Sequence, residues 1–246
     1  MIHRLWPVVT LLAFFTGMQG EASACTVTTT ADFGANSLRG CINFANANPG
    51  DTISFNIPET DSGYVTSGGE SWWRMSPASP LPAITAEGTI IDGSTQTTNR
   101  GDTNSLGPEI EIEGSAAGIT DGVVITGGNG TIRSLVINRF SDDGIVLSTF
   151  DSNVVENCYV GIDPTGTVDL GNGDHGIIIR DGSDSNTIGG PEAGNVISDN
   201  GDRGIRILSS SAARLRGSIS LSFLCISGLR SSISIRPVRL IFSRVF

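Results

Sequence analysis

Four short stretches of the chain place an ionisable side chain directly before a glycine and an aliphatic run. The stretches are TDGVVI (120–125), DDGIVL (142–147), DHGIII (174–179) and DRGIRI (202–207). The residues that precede the four glycines are Asp121, Asp143, His175 and Arg203. Two carboxylates can act as general acid and general base on a glycosidic bond. These positions, with Asp142 and Arg206 beside them, are therefore candidate catalytic residues if the fold brings them together.

The glycines of the same stretches define a repeat. Gly122, Gly144, Gly176 and Gly204 are 22, 32 and 28 residues apart. The second interval contains ten turn-forming residues, PTGTVDLGNG, and the third contains six, GGPEAG. Without these insertions each interval has 22 residues, so the sequence predicts a period of 22 with loops inserted at different points.

Each period contains three short runs with strand-forming residues. The predicted strands are 123–125, 131–133, 135–137, 145–147, 153–155, 157–160, 177–179, 186–188 and 195–197. Strands this short cannot bury a face alone, so the pattern predicts a right-handed parallel β-helix, a solenoid in which each period forms one rung. We expect Asn153 to stack on Asn186, and Asn157 on Asn195, as internal ladders.

The Asp-Gly pairs then have a structural explanation. Each would form the corner before the first strand of a rung, where glycine makes a bend that a Cβ would obstruct and Asp caps backbone amides. An active site needs its residues in one place, whereas an Asp recurs at this corner in all four repeats, including Asp202 beside Arg203. We therefore expect a structural role, and catalysis is the alternative.

Composition supports an all-β fold and argues against nucleic acids as partners. The 246 residues include 32 glycines and only 16% charged residues, which is typical of a turn-rich β protein. Lysine is absent, and the 15 arginines leave a net charge of −10. Nucleic-acid binding is disfavoured, because it requires a basic surface that neutralises phosphates.

Residues 1–24 have the pattern of a secretory signal peptide. A basic start is followed by an apolar stretch, Leu5–Thr16, and by the cleavage motif Ala22-Ser23-Ala24, a segment too short for a permanent membrane span. We expect a mature chain that begins at or near Cys25, has no membrane span and is secreted or lies at the cell surface. A lipoprotein is an alternative, because Cys25 directly follows the motif.

The four cysteines indicate one disulfide. Cys25 and Cys41 flank what is predicted as one small substructure, so they are the expected pair; the alternative is that Cys41 and Cys158 are buried free thiols. The mature chain retains His175 as its only histidine and has no Cys-x-x-Cys. A structural zinc site is therefore not expected.

Across residues 25–208 the chain resembles the bacterial right-handed parallel β-helix repeat proteins that carry an N-terminal Cys-Ser-Leu-Arg-Glu-Ala motif. The matching stretches are 26–58, SPLPAIT (79–85), TIIDGSTQ (89–96), GPEIEIEG (107–114) and IDPTGTVDLGNG (162–173). Of the motif itself Ser37-Leu38-Arg39 is present. The resemblance implies a secreted or surface protein and supplies no catalytic site. Helical spacing within 36–48 predicts a short amphipathic helix that caps the coil.

The corner residues also resemble those of the polygalacturonase-like hydrolases. Those enzymes carry Asn-Thr-Asp, Asp-Asp, Gly-His-Gly and Arg-Ile-Lys in order. This chain has Ile119-Thr120-Asp121, Asp142-Asp143, Asp174-His175-Gly176 and Arg206-Ile207-Leu208. Asp142-Asp143 matches in full, whereas each of the other three stretches differs from the enzyme pattern at one residue.

Two further features are relevant to carbohydrate chemistry. A lyase would need a base and calcium, for which Asp163, Asp169 and Asp174 are candidate ligands; solvated loops are the commoner explanation of such residues. Trp72 and Trp73 are candidates for a platform on which sugar rings stack, although we expect one of them to face the interior.

The chain after residue 208 differs from what precedes it. Residues 209–246 contain eleven Ser and six Arg but no Asp, Glu, Asn or Lys. A translated frameshift is the favoured explanation, with a membrane-active basic segment and a genuine C-terminal cap as alternatives. The stretches 218–227 and 232–238 alternate enough to extend a sheet.

These patterns predict four regions: a signal peptide (1–24), a cap with the first rung (25–58), parallel β-helix repeats (59–208) and an aberrant basic tail (209–246). We expect a secreted or surface structural or binding module with an extracellular polysaccharide as the candidate partner and no required cofactor. The alternatives are a polysaccharide hydrolase or lyase acting on acidic glycans, with calcium as a candidate cofactor, and a truncated fragment of a longer repeat protein.

Overall fold

A computed structural model describes residues 24–190 and 193–208, together with the strands at 213–215, 220–221, 224–227 and 234–235. The helices are α1 (Leu38–Ala47) and α2 (Ser94–Arg100). The strands are β1 (Ala24–Val27), β2 (Thr52–Phe55), β3 (Tyr64–Ser67), β4 (Glu70–Met75), β5 (Ile90–Asp92), β6 (Ile110–Glu113), β7 (Val123–Ile125), β8 (Thr131–Arg133), β9 (Val136–Asn138), β10 (Ile145–Ser148), β11 (Val154–Glu156), β12 (Tyr159–Val160), β13 (Ile177–Arg180), β14 (Asn186–Ile188), β15 (Val196–Ile197), β16 (Ile205–Leu208), β17 (Ala213–Leu215), β18 (Ser220–Leu221), β19 (Leu224–Ser227) and β20 (Ser234–Ile235).

The strands form three sheets that the chain visits in turn. The first has the order β1-β2-β5-β8-β11-β14-β17-β20, the second β19-β16-β13-β10-β7 and the third β18-β15-β12-β9-β6-β4-β3. From β7 onward, consecutive strands belong to different sheets, and each strand pairs in parallel with its equivalent one repeat away. The fold is therefore mostly parallel β-sheet, an arrangement compatible with a β-helix or solenoid.

Strand register reproduces the repeat that the glycines indicate. Val123 pairs with Ile145, Ile145 with Ile177, and Ile177 with Ile205, which gives steps of 22, 32 and 28 residues. The register corrects where the extra residues enter. Of the ten extra residues in the second repeat, nine lie between β12 and β13 and one lies between β10 and β11. Of the six extra residues in the third repeat, four lie between β14 and β15 and two lie between β13 and β14.

Like side chains stack between rungs to form the core. In the first sheet the paired positions Ile53, Ile91, Ile132, Val155 and Ile188 are all fully buried. β-branched residues suit this pleated, buried surface, and each buried aliphatic side chain contributes about 1.5–3 kcal/mol to folding. Because each rung packs on its neighbours, a corner loop can lengthen without disturbing the stack.

Asparagine side chains form one of the two expected ladders. The Asn153 amide oxygen accepts the Gly130 N–H at 2.8 Å, and the Asn186 amide oxygen accepts the Asn153 N–H at 2.9 Å. The expected stack of Asn157 on Asn195 is wrong. Cys158 occupies that position and donates its N–H to Asn195 at 2.8 Å, whereas Asn157 is exposed in a left-handed turn with φ 53°.

Helix α1 packs on β1 and β2, at one end of the first sheet. Ser37 caps it by accepting the Gly40 N–H at 3.1 Å, and its buried residues are Leu38, Cys41, Ile42 and Ala45. This is the helix that the spacing predicts. A disulfide joins Cys25 of β1 to Cys41 of α1, with 5.4 Å between the Cα atoms. The bond uses the sulfur that a lipoprotein would modify.

Two elements differ from the simple repeat. β3 and β4 form an antiparallel hairpin through Gly68 and Gly69, which both have positive φ, within the range predicted as parallel repeats. Helix α2 was not expected from the sequence. The Gln96 side chain fixes it by pairing with both the N–H and the C=O of Ile57, each at 2.9 Å.

The strands within 213–235 continue the sheets, since β17 pairs with β14, β18 with β15, β19 with β16 and β20 with β17. Three of them, β18, β19 and β20, fall within the stretches expected to extend a sheet. The frameshift interpretation concerns the origin of the sequence and stays a prediction. In the described part of the chain, no helix has the length and apolar character needed to cross a bilayer.

Candidate functional site

The four residues before the repeat glycines lie on successive rungs, and we call this set (Asp121, Asp143, His175 and Arg203) the corner column. The N–H groups of Gly122, Gly144 and Gly176 donate to the carbonyls of Asp143, His175 and Arg203, each at 2.8 Å. The rungs approach so closely that a Cβ on Gly122 would lie 2.3 Å from the Gly144 carbonyl oxygen. Glycine is therefore required here by close approach of the next rung.

A buried His–Asp pair lies at the centre of the corner column. His175 is fully buried and Asp143 is 2% exposed. Asp143 Oδ1 accepts the His175 backbone N–H at 3.0 Å and lies 2.7 Å from His175 Nδ1. Asp121 Oδ1 in turn accepts the Asp143 N–H at 3.2 Å. The expected capping by Asp therefore occurs, but each carboxylate caps the corner of the next rung.

The two ring nitrogens of His175 have different surroundings. Nδ1 lies between carboxylate oxygens of Asp143 and, at 3.0 Å, of Asp174, so this nitrogen carries a proton. Nε2 lies 3.3 Å from Asp202 Oδ2 and 3.2 Å from Arg206 Nη1. The neutral ring can accept from Arg206, and the imidazolium can donate to Asp202. In either state every ring nitrogen has a partner.

Burial shifts the pKa of two carboxyl groups in this region upward. Burial is the main cause for Asp121, reinforced by the carboxylates of Asp143 and Asp142 and opposed by the Asp143 N–H and by Arg180, which lies 3.5 Å away. Burial also raises the pKa of Asp174, where the charge of His175 acts in the opposite direction. Ionisation of these two carboxyl groups is therefore less favourable than ionisation of an ordinary surface carboxyl group.

The exposed side of the same corner carries a second line of carboxylates. The Asp174 N–H donates to the Asp142 carbonyl at 3.1 Å, and the Asp202 N–H to the Asp174 carbonyl at 2.7 Å, so Asp142, Asp174 and Asp202 occupy successive rungs. Rungs are about 4.8 Å apart, near the roughly 5–5.5 Å separation of the carboxyl pair in retaining glycosidases. Substrate can reach this exposed line, but it cannot reach His175.

Two groups of side chains in this region could ligate a metal ion. Asp143, Asp174 and His175 form one group, and Asp121, Asp142 and Asp143 form the other, with ligand atoms within 4.8 Å of one another in each. Both include a buried Asp143 that already accepts hydrogen bonds. The carboxylate that the two groups share, that of Asp143, is therefore already paired with the N–H and the ring of His175.

Among the described residues, no candidate metal-binding group combines the three proposed calcium ligands. Asp163 accepts hydrogen bonds from Thr165 Oγ1 and from the N–H groups of Thr167 and Val168, at 2.6–2.9 Å. Burial alone would raise the pKa of Asp163, but these bonds lower it below the ordinary value. Asp169 instead lies beside Asp199, which raises its pKa, and Asp174 contacts His175. The predicted calcium site is therefore not assembled from these residues.

The tryptophans do not form a sugar platform. Trp72 is 3% exposed and donates to Glu111 Oε2 at 2.8 Å, and Trp73 is fully buried and donates to the Pro58 carbonyl at 3.1 Å. Cys158 is also part of the interior, where burial raises the pKa of its thiol to about 12. Both the stacking surface and a reactive thiol are therefore excluded at these positions.

An open groove lies at the other end of β7 and β10, and we call it the glycine trough. Its volume is about 330 Å³, and its floor is Gly127 and Gly128. One wall is Thr85 to Glu87, and the other is Phe150 to Ser152. The three segments lie on adjacent rungs, because Gly88 donates to Gly128 and Asn129 donates to Asp151, at 2.8 and 2.9 Å. Gly127 packs closely on the Ala86 backbone, whereas Gly128 has no atom closer than 3.4 Å to the position that a Cβ would take, so the trough is open at Gly128.

Phe150 is the functional candidate that sequence reasoning missed. Its side chain is 57% exposed, and the rim opposite carries Glu87, whose Oε1 accepts from Asn129 Nδ2 at 2.8 Å. The signal was present in the sequence, since Phe150 is an aromatic residue in the turn TFDSN (149–153), where the equivalent turns have glycines. A second groove, of about 360 Å³, includes Tyr159, Thr97 and Glu109 among its lining residues.

No protein-family model matches this chain, and no curated protein matches it.

Proposed function

We propose that the protein is an exported structural and binding module, secreted or held at the cell surface, whose glycine trough binds a neutral polysaccharide. The three sheets would be the faces of a closed, right-handed parallel β-helix. One observation supports this fold: from β7 onward the chain visits the three sheets in turn. The right hand is expected because nearly all crossovers between parallel strands in proteins are right-handed. Export is supported by the pattern of residues 1–24.

The observation that carries the binding proposal is the exposed ring of Phe150 on the wall of the glycine trough. Aromatic rings supply apolar contact area with a defined face, and a volume of 330 Å³ lies within the usual range for small-molecule sites. The rim supplies hydrogen-bonding groups from Glu87, Asn129 and Asp151. An apolar wall that faces polar side chains suits a sugar, which has an apolar ring face and hydroxyl edges.

Charge selects a neutral glycan over an acidic one. Residues 1–208 contain nine Arg and all 25 acidic residues, a net charge of −16. The rim of the trough adds two carboxylates, Glu87 and Asp151, that can accept hydrogen bonds from hydroxyl groups but would repel a uronic acid. Acidic polysaccharides are therefore expected to bind weakly, and their binding is expected to fall further at low salt.

A polysaccharide hydrolase is the second candidate. One observation favours it: exposed carboxylates of Asp142, Asp174 and Asp202 lie on successive rungs, at a spacing close to that of a catalytic pair. Release of reducing sugars from a panel of neutral and acidic polysaccharides distinguishes the two functions, because a binding module retains polymer without shortening it.

The test of the binding proposal compares Phe150→Ala with Phe33→Ala by affinity electrophoresis in gels containing neutral or acidic polysaccharides. Phe33 is 67% exposed but lies near the cap, against Arg39, so it is a matched control. Phe150→Ala is expected to weaken retention by a neutral polymer about tenfold, and Phe33→Ala to leave it unchanged. Retention that both variants preserve, or retention only by acidic polymers, would refute the proposal.

A further inference from the structure

The first rung contains a buried carboxylate without a partner. Asp51 is 1% exposed, and neither carboxylate oxygen accepts a hydrogen bond or an ion pair from any residue that the structure describes. The N–H groups of Thr52 and Cys25 lie near enough to lower the pKa of Asp51, but burial outweighs them and raises it. Among the described residues, no cationic side chain pairs with this carboxylate.

The register shows which part of the chain lies next to Asp51. Asp51 directly precedes β2 and occupies the position that Asn153 and Asn186 occupy in later rungs. Each of those side chains accepts the N–H of a residue one rung earlier. For Asp51 the preceding rung is the start of β1, where Ala24 pairs with Thr52 and Cys25 with Ile53. The Asp51 carboxylate therefore faces the beginning of the first strand.

Removal of the signal segment would place a cation at this point. Cleavage after Ala22-Ser23-Ala24 leaves an α-ammonium group on Cys25, which pairing with Ile53 and the disulfide to Cys41 hold in place. An amide side chain suffices in later rungs because it accepts from a neutral N–H. A carboxylate in the first rung matches a charged donor, and the chain contains no lysine that could supply one.

We propose that Asp51 is the receptor for the α-ammonium group of Cys25 that processing creates. The proposal rests on the export proposed above. The uncleaved chain would fold around an unpaired buried carboxylate, and cleavage would convert it into an ion pair. Processing would thereby stabilise the end of the coil that α1 covers.

The experiment uses three forms of the protein with the disulfide intact: a chain that begins at Cys25, a chain extended by Gly-Ser before Cys25, and the first chain with its α-amine acetylated. Each is made with Asp51 and with Asp51→Asn, and unfolding is measured in denaturant at pH 7. Asp51→Asn is expected to raise the unfolding constant of the free-amine chain about tenfold, and to leave the other two unchanged or more stable. The acetylated form needs no substitution, so it gives a result even if Asp51→Asn does not fold.

A second measurement reads the amine directly. Because lysine is absent, the α-amine is the only primary amine of the chain that begins at Cys25. Its reaction with an amine-selective acylating reagent near pH 8 is expected to be about tenfold slower with Asp51 than with Asn. Equal rates, or equal effects of Asp51→Asn in all three chains, would overturn the proposal. N-terminal sequencing of exported protein tests cleavage separately, so failure of export and failure of the ion pair are distinguishable.

Discussion

The corner column and the glycine trough lie at opposite ends of the same strands, β7 and β10. In the column, Asp143 and His175 are buried and each polar group has a partner on an adjacent rung. In the trough, Gly128 leaves room for a Cβ, and Phe150 is exposed beside it. The comparison shows that side chains with catalytic potential can be used entirely in joining rungs, while a surface for a ligand arises where side chains are missing.

The largest expected effect comes from removing the buried acceptor of the column. Asp143→Ala removes the acceptor of the His175 backbone N–H and the nearer of the two carboxylates at Nδ1, and breaking a buried pair of this kind costs about 3–5 kcal/mol. Asp143→Asn keeps an oxygen acceptor and should cost only about 0.5–2 kcal/mol, as for a lost turn cap. Denaturant unfolding of the two variants measures both values.

The same variants test the enzyme alternative. If the column is structural, Asp143→Asn changes unfolding and leaves any glycan turnover intact. The structural assignment fails if turnover disappears in folded Asp143→Asn and His175→Ala while their unfolding is nearly unchanged.

Two glycine substitutions test how differently the two ends of β7 are packed. In Gly122→Ala the new Cβ would lie 2.3 Å from a backbone oxygen, whereas in Gly128→Ala its nearest neighbours are at 3.4 Å. Overpacking should destabilise the first variant by about 1–3 kcal/mol, and reduced chain entropy in the unfolded state should stabilise the second by roughly 0.4–1 kcal/mol. Similar losses in both variants would show that the trough is packed as tightly as the column.

The smallest expected effect is a difference in pH dependence. The pKa of Asp121 is raised, mainly by burial, so its ionised form is unfavourable in the folded state. Asp121→Asn should therefore be slightly stabilising at neutral pH, and this gain should disappear as the pH falls below 3.8, the ordinary Asp value.

Asp92 provides the matched case of opposite sign. Although burial opposes it, hydrogen bonds from Arg133 and Ser94 lower the pKa of Asp92. Its stabilisation is complete above the ordinary value and is lost as the pH falls through the lowered one. Asp92→Asn should consequently be destabilising at neutral pH, with an effect that diminishes in acid. Parallel pH profiles for the two variants would contradict this assignment.

The sequence predicted features that repeat and missed features that depend on a single contact. Equal spacing after removal of the loops located the rungs, and the period of Leu38, Cys41, Ile42 and Ala45 located α1. The sequence STQTTNR gave no signal for α2, because Thr and Asn are weak helix formers and the helix depends on Gln96 bonding to Ile57.

The candidate functional residues show the same limit of prediction from sequence. Asn157 was assigned to a ladder because asparagine suits both an internal ladder and a left-handed turn, and spacing alone does not separate the two. The trough was missed because its floor is defined by absent side chains, and its depth depends on the rungs on either side. Trp72 and Trp73, which are both buried, lie in the hairpin of β3 and β4, which interrupts the parallel pattern.

The unequal steps in the strand register have a mechanical consequence. Since strand pairing joins each described rung only to its neighbours, tension applied to the two ends of the chain would peel rungs away one at a time. At about 3.4 Å per extended residue, the steps of 22, 32 and 28 residues would release roughly 75, 110 and 95 Å of slack. The inserted loops would then act as reserves of length, which let the chain yield in stages while the remaining rungs stay stacked.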